Sequence, residues 1–175
     1  EQGRVEERAR ARHSQEPLVQ AFAGGHTALP STLLMRRSVL DQVGALDPEL
    51  YGSEDSDLTI RLYAVTEFEC VDQVLVRKLQ RGHGYRDMAF DETTHWKKVL
   101  ASRRRFLERL DQRPVLTSEQ RMALDREWAN FFLLSGLVAE RCAQRTEARQ
   151  QYIQAIRKAP FRLRGYTRLL RVLRP

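Results

Sequence analysis

The densest group of reactive side chains in this chain lies in the stretch YGSEDSDLTIRLY, residues 51–63. Three carboxylates, those of Glu54, Asp55 and Asp57, stand there just before an apolar-periodic segment. Carboxylates at this spacing could hold a metal ion, take a proton from a hydroxyl as a general base, or complement the macrodipole at the start of a helix. The elements around the stretch decide among these three interpretations.

The metal interpretation depends on where the Asp-Ser-Asp of residues 55–57 lies in the fold. An Asp-x-Asp that holds a metal and a nucleotide diphosphate should stand at the end of a buried strand. Here it follows Tyr-Gly-Ser and opens a segment whose apolar spacing predicts a helix to about Val65. We therefore reject the metal interpretation, and the general base and the acidic first turn of a helix remain.

The segments around this stretch predict mixed α/β structure before about residue 90. Residues 31–37 are a short apolar run that suits a buried strand, and residues 68–80 alternate and are rich in valine, which also suits a strand. Between them, residues 38–44 suit a short helix with Ser38 as its cap and Gly44 at its end.

The second half of the chain, residues 91–175, follows helical periodicity throughout. Apolar residues recur at 3–4 spacing until Pro114, and the next helix opens with a capping box of Thr117 and Gln120. The further predicted helices are 118–142, 145–158 and one that starts at about Arg162. The predicted fold class is therefore α+β and mainly helical, with one domain over 1–90 and a helical module over 91–175.

Composition narrows the class of protein. The chain has 175 residues, 42% of them hydrophobic and 30% charged, as in a globular protein, and it starts at Glu1, so we expect it to be a piece of a longer one. Cys70 and Cys142 have no partners at metal-ligand or redox spacing, and the four histidines are scattered. This pattern favours a reducing cytoplasm and disfavours a self-contained zinc site.

The basic excess of the chain lies at its C-terminal end. The formal net charge is +7, and residues 157–175 hold seven basic residues and no acidic one, so the rest of the chain is balanced. This tail lacks interleaved aromatic residues and any known nucleic-acid motif, so we predict no nucleic-acid partner. Two interpretations stay open for residues 161–175: the first helix of a further repeat, or a helix on a membrane surface.

Four features in register run through residues 28–86. They are an apolar run ending in Arg36 and Arg37, a short helix closing in VGALDPEL, the pair Glu54-Asp55 opening a helix, and a valine-rich segment leading to RGHG. In this order they resemble the acceptor-side half of family-two glycosyltransferases, which are inverting enzymes of the A-type nucleotide-sugar fold. The chain departs from that family in Leu46, where phenylalanine is usual, in Pro48, and in lacking the nucleotide-binding half.

The resemblance implies a role for each of the two residues that open the predicted helix. Asp55 matches the catalytic base, the carboxylate that takes the proton from an acceptor hydroxyl as this hydroxyl attacks the anomeric carbon. Glu54 would orient Asp55 or bind acceptor hydroxyls. Asp57 is expected to point away from the site and to support the start of the helix.

The resemblance also implies substrate contacts outside this stretch. In similar enzymes an Arg-x-His loop closes over the donor diphosphate, so Arg81 would pair with phosphate oxygens. His83 would ligate a divalent metal, Mn or Mg, whose other ligands lie outside this chain; a surface histidine in a glycine-rich loop is the alternative. His26 and Ser31 are expected to line the acceptor side.

The helical half has a second pattern, of small and large residues at fixed distances. Phe132, Gly136, Ala148, Tyr152, Ala155 and Pro160 resemble the pattern of a tetratricopeptide repeat, with departures at Ser135 and Ala139. The resemblance implies two antiparallel helices that touch at Gly136 and Ala148. One such unit cannot bury its own faces, so it must pack on the rest of the chain or on further repeats.

The predicted function is inverting glycosyl transfer from a nucleotide-sugar donor to an acceptor hydroxyl. The chain would be the base-carrying C-terminal part, incomplete without a donor-binding half, and the acceptor would be a glycan, a lipid-linked sugar or a protein. A second hypothesis is a non-catalytic protein-interaction module on a vestigial glycosyltransferase scaffold. A missing half would leave an apolar face uncovered, so we also expect homo-oligomers, in the cytoplasm or peripherally at a membrane.

Overall fold

A computed structural model of the chain describes residues 32–69, 93–113 and 115–173, together with Val19, Val71 and Gln73. Every regular element within these ranges is a helix, and none is a strand. The helices are α1 Arg37–Val43, α2 Glu54–Tyr63, α3 Thr93–Asp111, α4 Ser118–Arg141, α5 Arg145–Lys158 and α6 Leu163–Leu173. The predicted α+β class, with a partial A-type α/β half, is therefore wrong for the part of the chain that the structure describes.

The strand predicted over residues 31–37 is absent where the structure describes it. Residues 33–36 have no regular structure, and Leu34 is 101% exposed. A run this short does not distinguish a strand from a loop, and an extended segment gains little without a neighbouring strand to pair with. The second predicted strand, residues 68–80, lies mostly outside the described residues.

Helix α1 ends where the sequence predicted, but it does not begin at the predicted cap. Ser38 is not the cap, because α1 already begins at Arg37, and its N-cap residue Arg36 makes no side-chain capping bond. Gly44 does end α1, with a φ of +80° and its N–H donating to the carbonyl of Leu40 at 2.8 Å. A positive φ is a conformation that glycine adopts without steric cost, which is why the helix stops there.

The larger hydrophobic core lies between α3 and α4. Leu50, which precedes α2, and Ile60 within α2 are buried in the same cluster, so α2 is anchored to this helix pair. Each fully buried side chain of this size contributes about 1.5–3 kcal/mol to folding. The remaining buried members are Phe106, Leu107, Leu110, Ala123, Leu124, Trp128 and Phe131.

A buried carboxylate fixes α3 against α4. The side chain of Glu127 on α4 is 7% exposed and accepts from Arg103 of α3, while its Oε1 accepts from Asn130 at 2.7 Å. The Arg103 guanidinium also lies 5.2 Å from the centre of the Phe106 ring. Because breaking a buried pair leaves an uncompensated charge, this network favours one register of the two helices.

The helical half follows its local sequence signals closely. The capping box of α4 is confirmed, since the Thr117 hydroxyl accepts from the Gln120 N–H at 3.2 Å and the Thr117 N–H donates to the Gln120 side chain at 3.1 Å. The observed bounds of α4 and α5, and the start of α6, lie within one residue of the predicted ones. Within the described part of the chain, no helix has the length and apolar character needed to cross a membrane.

A second, smaller core joins α4, α5 and α6. Tyr152 of α5 is 0% exposed and its ring lies against Gly136 of α4, where an added Cβ would stand 2.4 Å from a ring carbon. The Tyr152 hydroxyl donates to Glu140. Gly165 of α6 is similarly close to Ile156 of α5, since a Cβ added there would stand 2.7 Å from the Ile156 Cγ1 atom. Two glycines therefore let three helix backbones approach each other.

We predict that Gly136→Ala destabilises the protein. Overpacking a tight contact costs about 1–3 kcal/mol, and the gain in helix propensity from glycine to alanine returns at most about 1 kcal/mol. We therefore expect a net loss of about 1–2 kcal/mol in the free energy of unfolding, measured by urea denaturation. In a Tyr152→Leu background the same substitution should be neutral or stabilising; equal losses in both backgrounds would contradict the contact.

Candidate functional site

The candidate base lies in the first turn of α2. Ser53, its N-cap residue, is 1% exposed, and Asp55 is half-buried. One oxygen of Asp55, Oδ1, accepts from the Ser56 N–H at 2.7 Å and lies 3.4 Å from the Ser56 hydroxyl. These contacts hold the Asp55 carboxylate at the helix N-terminus, where the partial positive charge of the helix end favours an anion.

Glu54 places a second carboxylate directly before this candidate base in the sequence. Its Oε2 atom is buried and has no hydrogen-bond partner within the described structure. A buried acceptor without a donor is costly, typically by about 1–3 kcal/mol. Glu54 therefore keeps an acceptor position that a hydroxyl or another donor could satisfy.

Asp57 has a different set of contacts from Asp55, although only one residue separates the two in the sequence. It forms an ion pair with Arg61 at 2.8 Å, one turn further along α2, and the two side chains are 13% and 26% exposed. The pair orients the Arg61 guanidinium toward the end of α1. Asp57 lies in the first turn of α2, where the sequence predicts support for the helix start, and it also supports the local structure through Arg61.

Arg61 binds the backbone at the end of α1. Its guanidinium donates to the carbonyls of Val43, of Gly44 at 3.1 Å and of Ala45 at 2.9 Å. The last carbonyls of a helix have no partners within the helix, so side-chain donors can satisfy them. We call this arrangement, Arg61 with Asp57 and the three carbonyls, the Arg61 clamp.

The turn between α1 and α2 is also tied to α3. Asp47 pairs with Arg109 at 2.5 Å and accepts from the Glu49 N–H at 2.9 Å, and Glu49 pairs with Arg105 at 3.3 Å. The hydrogen bond from Arg109, and then that from the Glu49 backbone, hold the pKa of Asp47 below its usual value. The turn is thus bound to α2 on one side and to α3 on the other.

These contacts surround an open cleft of about 390 Å³, here called the arginine cleft. Arg113 faces it, with a pKa lowered by burial, and among the described residues no acidic side chain forms an ion pair with it. Asp57 lines the cleft and Asp55 does not, so the candidate base faces elsewhere. The lining residues are Val43, Gly44, Ala45, Asp47, Asp57, Arg61, Arg109, Leu110 and Arg113.

Sequence reasoning missed two basic residues that line this cleft, Arg109 of α3 and Arg113 just beyond the end of that helix. A signal was present, because Arg105 and Arg109 lie four residues apart on one side of α3 and Arg113 continues the same spacing just beyond the helix end. The same spacing is common on solvated helix faces, which is why it does not indicate a site by itself. Only the contact with Asp47 and Glu49 shows what this side of α3 meets.

The other predicted site residues are not brought together with Asp55 in the described structure. Arg81, His83, His26 and Ser31 all lie outside the described residues. Within the described ranges, no group of three or more histidine, cysteine, aspartate or glutamate residues could hold a metal ion. The described part of the site is therefore the start of α2 with its supporting clamp.

We predict that Arg61→Met destabilises α1 and its junction with α2. Hydrogen bonds from a charged donor contribute about 1.5–3 kcal/mol when well formed, and partial exposure reduces this, so we expect a loss of about 1–2 kcal/mol in urea denaturation. The control is Arg37→Met, which removes an ion pair with Asp41 whose side chains are 85% and 60% exposed. The control should cost less than about 0.5 kcal/mol; equal losses would contradict the clamp.

We also predict that the pKa of Asp47 lies below that of an ordinary aspartate, because Arg109 and the Glu49 N–H stabilise its charged form. A carboxyl whose folded pKa is depressed stabilises the fold above its unfolded pKa, and this contribution is lost as the pH falls through the folded pKa. The link between the turn and α3 should therefore weaken only in strong acid. Carboxyl NMR titration measures the midpoint, and Arg109→Gln should move it up toward the ordinary value; an unchanged midpoint would contradict the pairing.

The chain was compared with known proteins, and none was found to be similar to it. No protein-family model matches the chain, no curated protein matches it, and no solved structure matches it.

Proposed function

We propose that this chain takes part in inverting glycosyl transfer from a nucleotide-sugar donor to an acceptor hydroxyl, with Asp55 as the general base. The observation that carries the proposal is the placement of Asp55: it is half-buried in the first turn of α2 and held there through Ser56. This is the position that the sequence resemblance to family-two glycosyltransferases assigns to the base. The proposed role depends on the local placement of Asp55, so it does not require a β-sheet among the described residues.

In this reaction Asp55 accepts one proton. The acceptor oxygen attacks the anomeric carbon, the bond from that carbon to the nucleotide diphosphate breaks, and the hydroxyl proton passes to the Asp55 carboxylate. Attack from the side opposite the leaving group inverts the anomeric configuration. A carboxylate that must be within hydrogen-bond reach of the hydroxyl benefits from a fixed backbone, which a helix start provides.

The contacts of the three carboxylates separate their roles. Asp57 is engaged by Arg61 at 2.8 Å and lines the arginine cleft, so it is a structural residue. Glu54, which precedes Asp55 in sequence, keeps a buried oxygen without a hydrogen-bond partner among the described residues, which suits a residue that orients the base or receives an acceptor hydroxyl. Asp55 is the carboxylate that the resemblance assigns to proton transfer.

The donor side of the reaction lies beyond the described residues. We assign the nucleotide sugar to Arg81 and to a donor-binding half that a longer chain would supply. The metal that the resemblance implies, with His83 as one ligand, has no set of ligands among the described residues, and no step here is routed through it. The acceptor remains a glycan, a lipid-linked sugar or a protein, in a cytoplasmic or membrane-peripheral setting.

We predict that Asp55→Asn abolishes most of the turnover. The substitution keeps the size of the side chain and removes the proton acceptor, so the turnover rate should fall by about 10²–10⁴-fold while donor binding stays unchanged. The assay measures nucleotide diphosphate release from a panel of nucleotide sugars, in the natural polypeptide that carries this sequence.

The matched control is Asp57→Asn, two residues further along α2. It breaks the pair with Arg61, so it should lower the free energy of unfolding and leave turnover of the folded protein nearly unchanged. Unchanged turnover in Asp55→Asn would contradict the assignment. A complete natural polypeptide with no transfer activity would favour the protein-interaction module instead.

A further inference from the structure

Helix α6 packs on the rest of the structure with only part of its apolar surface, and the other part is exposed. Its inner side packs on the hairpin of α4 and α5 through Leu169 and Val172, with Gly165 buried against Ile156. A second row recurs at steps of three, four and three residues, which places it along one side of the helix. This outer row is Leu163, Tyr166, Leu170 and Leu173, exposed by 77%, 40%, 62% and 50%.

A bulky aromatic residue just before α6 extends this uncovered surface. Phe161 is 97% exposed and lies two residues ahead of the first leucine of the outer row. Large apolar side chains clustered on one exposed row mark an interaction surface rather than scattered surface residues. We call Phe161 and the outer row together the outer face of α6.

The segment that carries this outer face is rich in basic residues, and Arg164, Arg168 and Arg171 lie on another side of α6 from the outer row. Residues 157–175 contain seven basic residues and no acidic one. Two of them are used by α4, because Lys158 pairs with Asp125 at 2.8 Å and Arg162 bonds to Asn130 at 2.6 Å. Arg164 and Arg171 are exposed, and no acidic side chain among the described residues forms an ion pair with them.

We infer that the outer face of α6 binds an anionic membrane surface. An amphipathic helix that lies in the lipid interface presents leucine and aromatic residues to the acyl boundary and arginines to the lipid headgroups, which is the combination found here. An anionic leaflet attracts basic residues near the surface, and the chain offers no acid in this segment to oppose them. The helix lies on the membrane and is held reversibly.

The charges also decide against a second copy of the chain as the occupant. Two outer faces that met would bring two strongly basic segments close together, and neither segment has an acidic residue to compensate the other. Like charges placed opposite each other weaken an interface. This inference does not depend on the proposed glycosyl transfer, because lipid binding is measured without substrate.

The test is co-sedimentation of the full chain with vesicles. One set contains phosphatidylcholine with about one third phosphatidylserine as the anionic lipid, and the other contains phosphatidylcholine alone. Each is used at about 0.01 M and about 1 M salt, where the Debye length is about 30 Å and about 3 Å. We expect binding to the anionic vesicles at low salt, at least about tenfold weaker binding at high salt, and weak binding to neutral vesicles.

Two variants separate the electrostatic and apolar parts of the interaction. Arg164→Gln with Arg171→Gln should weaken binding by about 25-fold, since each arginine near an anionic surface contributes about fivefold. Leu170→Glu should weaken vesicle binding by about tenfold or more, because the variant loses the transfer of the apolar Leu170 side chain from water into the lipid. The side chains concerned are exposed, so the circular dichroism spectrum should not change.

Matched controls carry the same changes at exposed positions on α4 and α5. They are Arg126→Gln with Arg149→Gln for charge and Met122→Glu, at a side chain that is 54% exposed, for the apolar change. These should leave vesicle binding within about twofold, the scatter expected of a change outside the contact. Loss of binding in the controls equal to that in the α6 variants would overturn the inference.

Three further outcomes would overturn it. They are no binding to anionic vesicles at low salt, equal binding to neutral and anionic vesicles, and concentration-dependent dimers without lipid that Leu170→Glu dissociates. The last outcome would assign the outer face to a second copy of the chain. Absence of glycosyl transfer with intact vesicle binding would contradict the proposed function alone.

Discussion

The guanidinium of Arg61 is the contact on which the first part of this structure depends. Helix α1 has no buried residue, so packing does not hold it in place. Its end is fixed instead by hydrogen bonds from Arg61 to three consecutive carbonyls, and Asp57 holds that guanidinium in position. A short helix without a core contact would otherwise gain too little to remain ordered, because helix formation alone is marginal at this length.

Two different forces fix the start of α2, where Asp55 lies. Leu50 on one side and Ile60 on the other are buried in the core of α3 and α4, which sets the depth of the helix. The pairs Asp47–Arg109 and Glu49–Arg105 set the path of the turn that leads into it. Exposed ion pairs contribute little to stability, so their main effect here is to orient the turn and not to hold the fold together.

How far the sequence predicts this structure depends on whether the signal is local. The last helices were predicted well because helical periodicity and the Thr117 capping box act within a few residues. The strand predicted over residues 31–37 was wrong because strands depend on a partner that a single segment does not specify. The pair of Asp57 with Arg61, and the arginine cleft where α3 meets a distant turn, did not follow from spacing alone.

Helix α4 connects the two regions for which functions are proposed. Its first half, with Leu124 and Trp128, belongs to the core that anchors α2, and its second half, with Gly136 and Ala139, belongs to the seam that carries α5 and α6. The helix has 24 residues, which correspond to about 36 Å at 1.5 Å per residue. Because packed helices transmit displacement and do not absorb it, the position of Asp55 is tied to that of the outer face of α6. A membrane bound at α6 would then hold the base at a set distance from the lipid, which favours acceptors that are themselves anchored there.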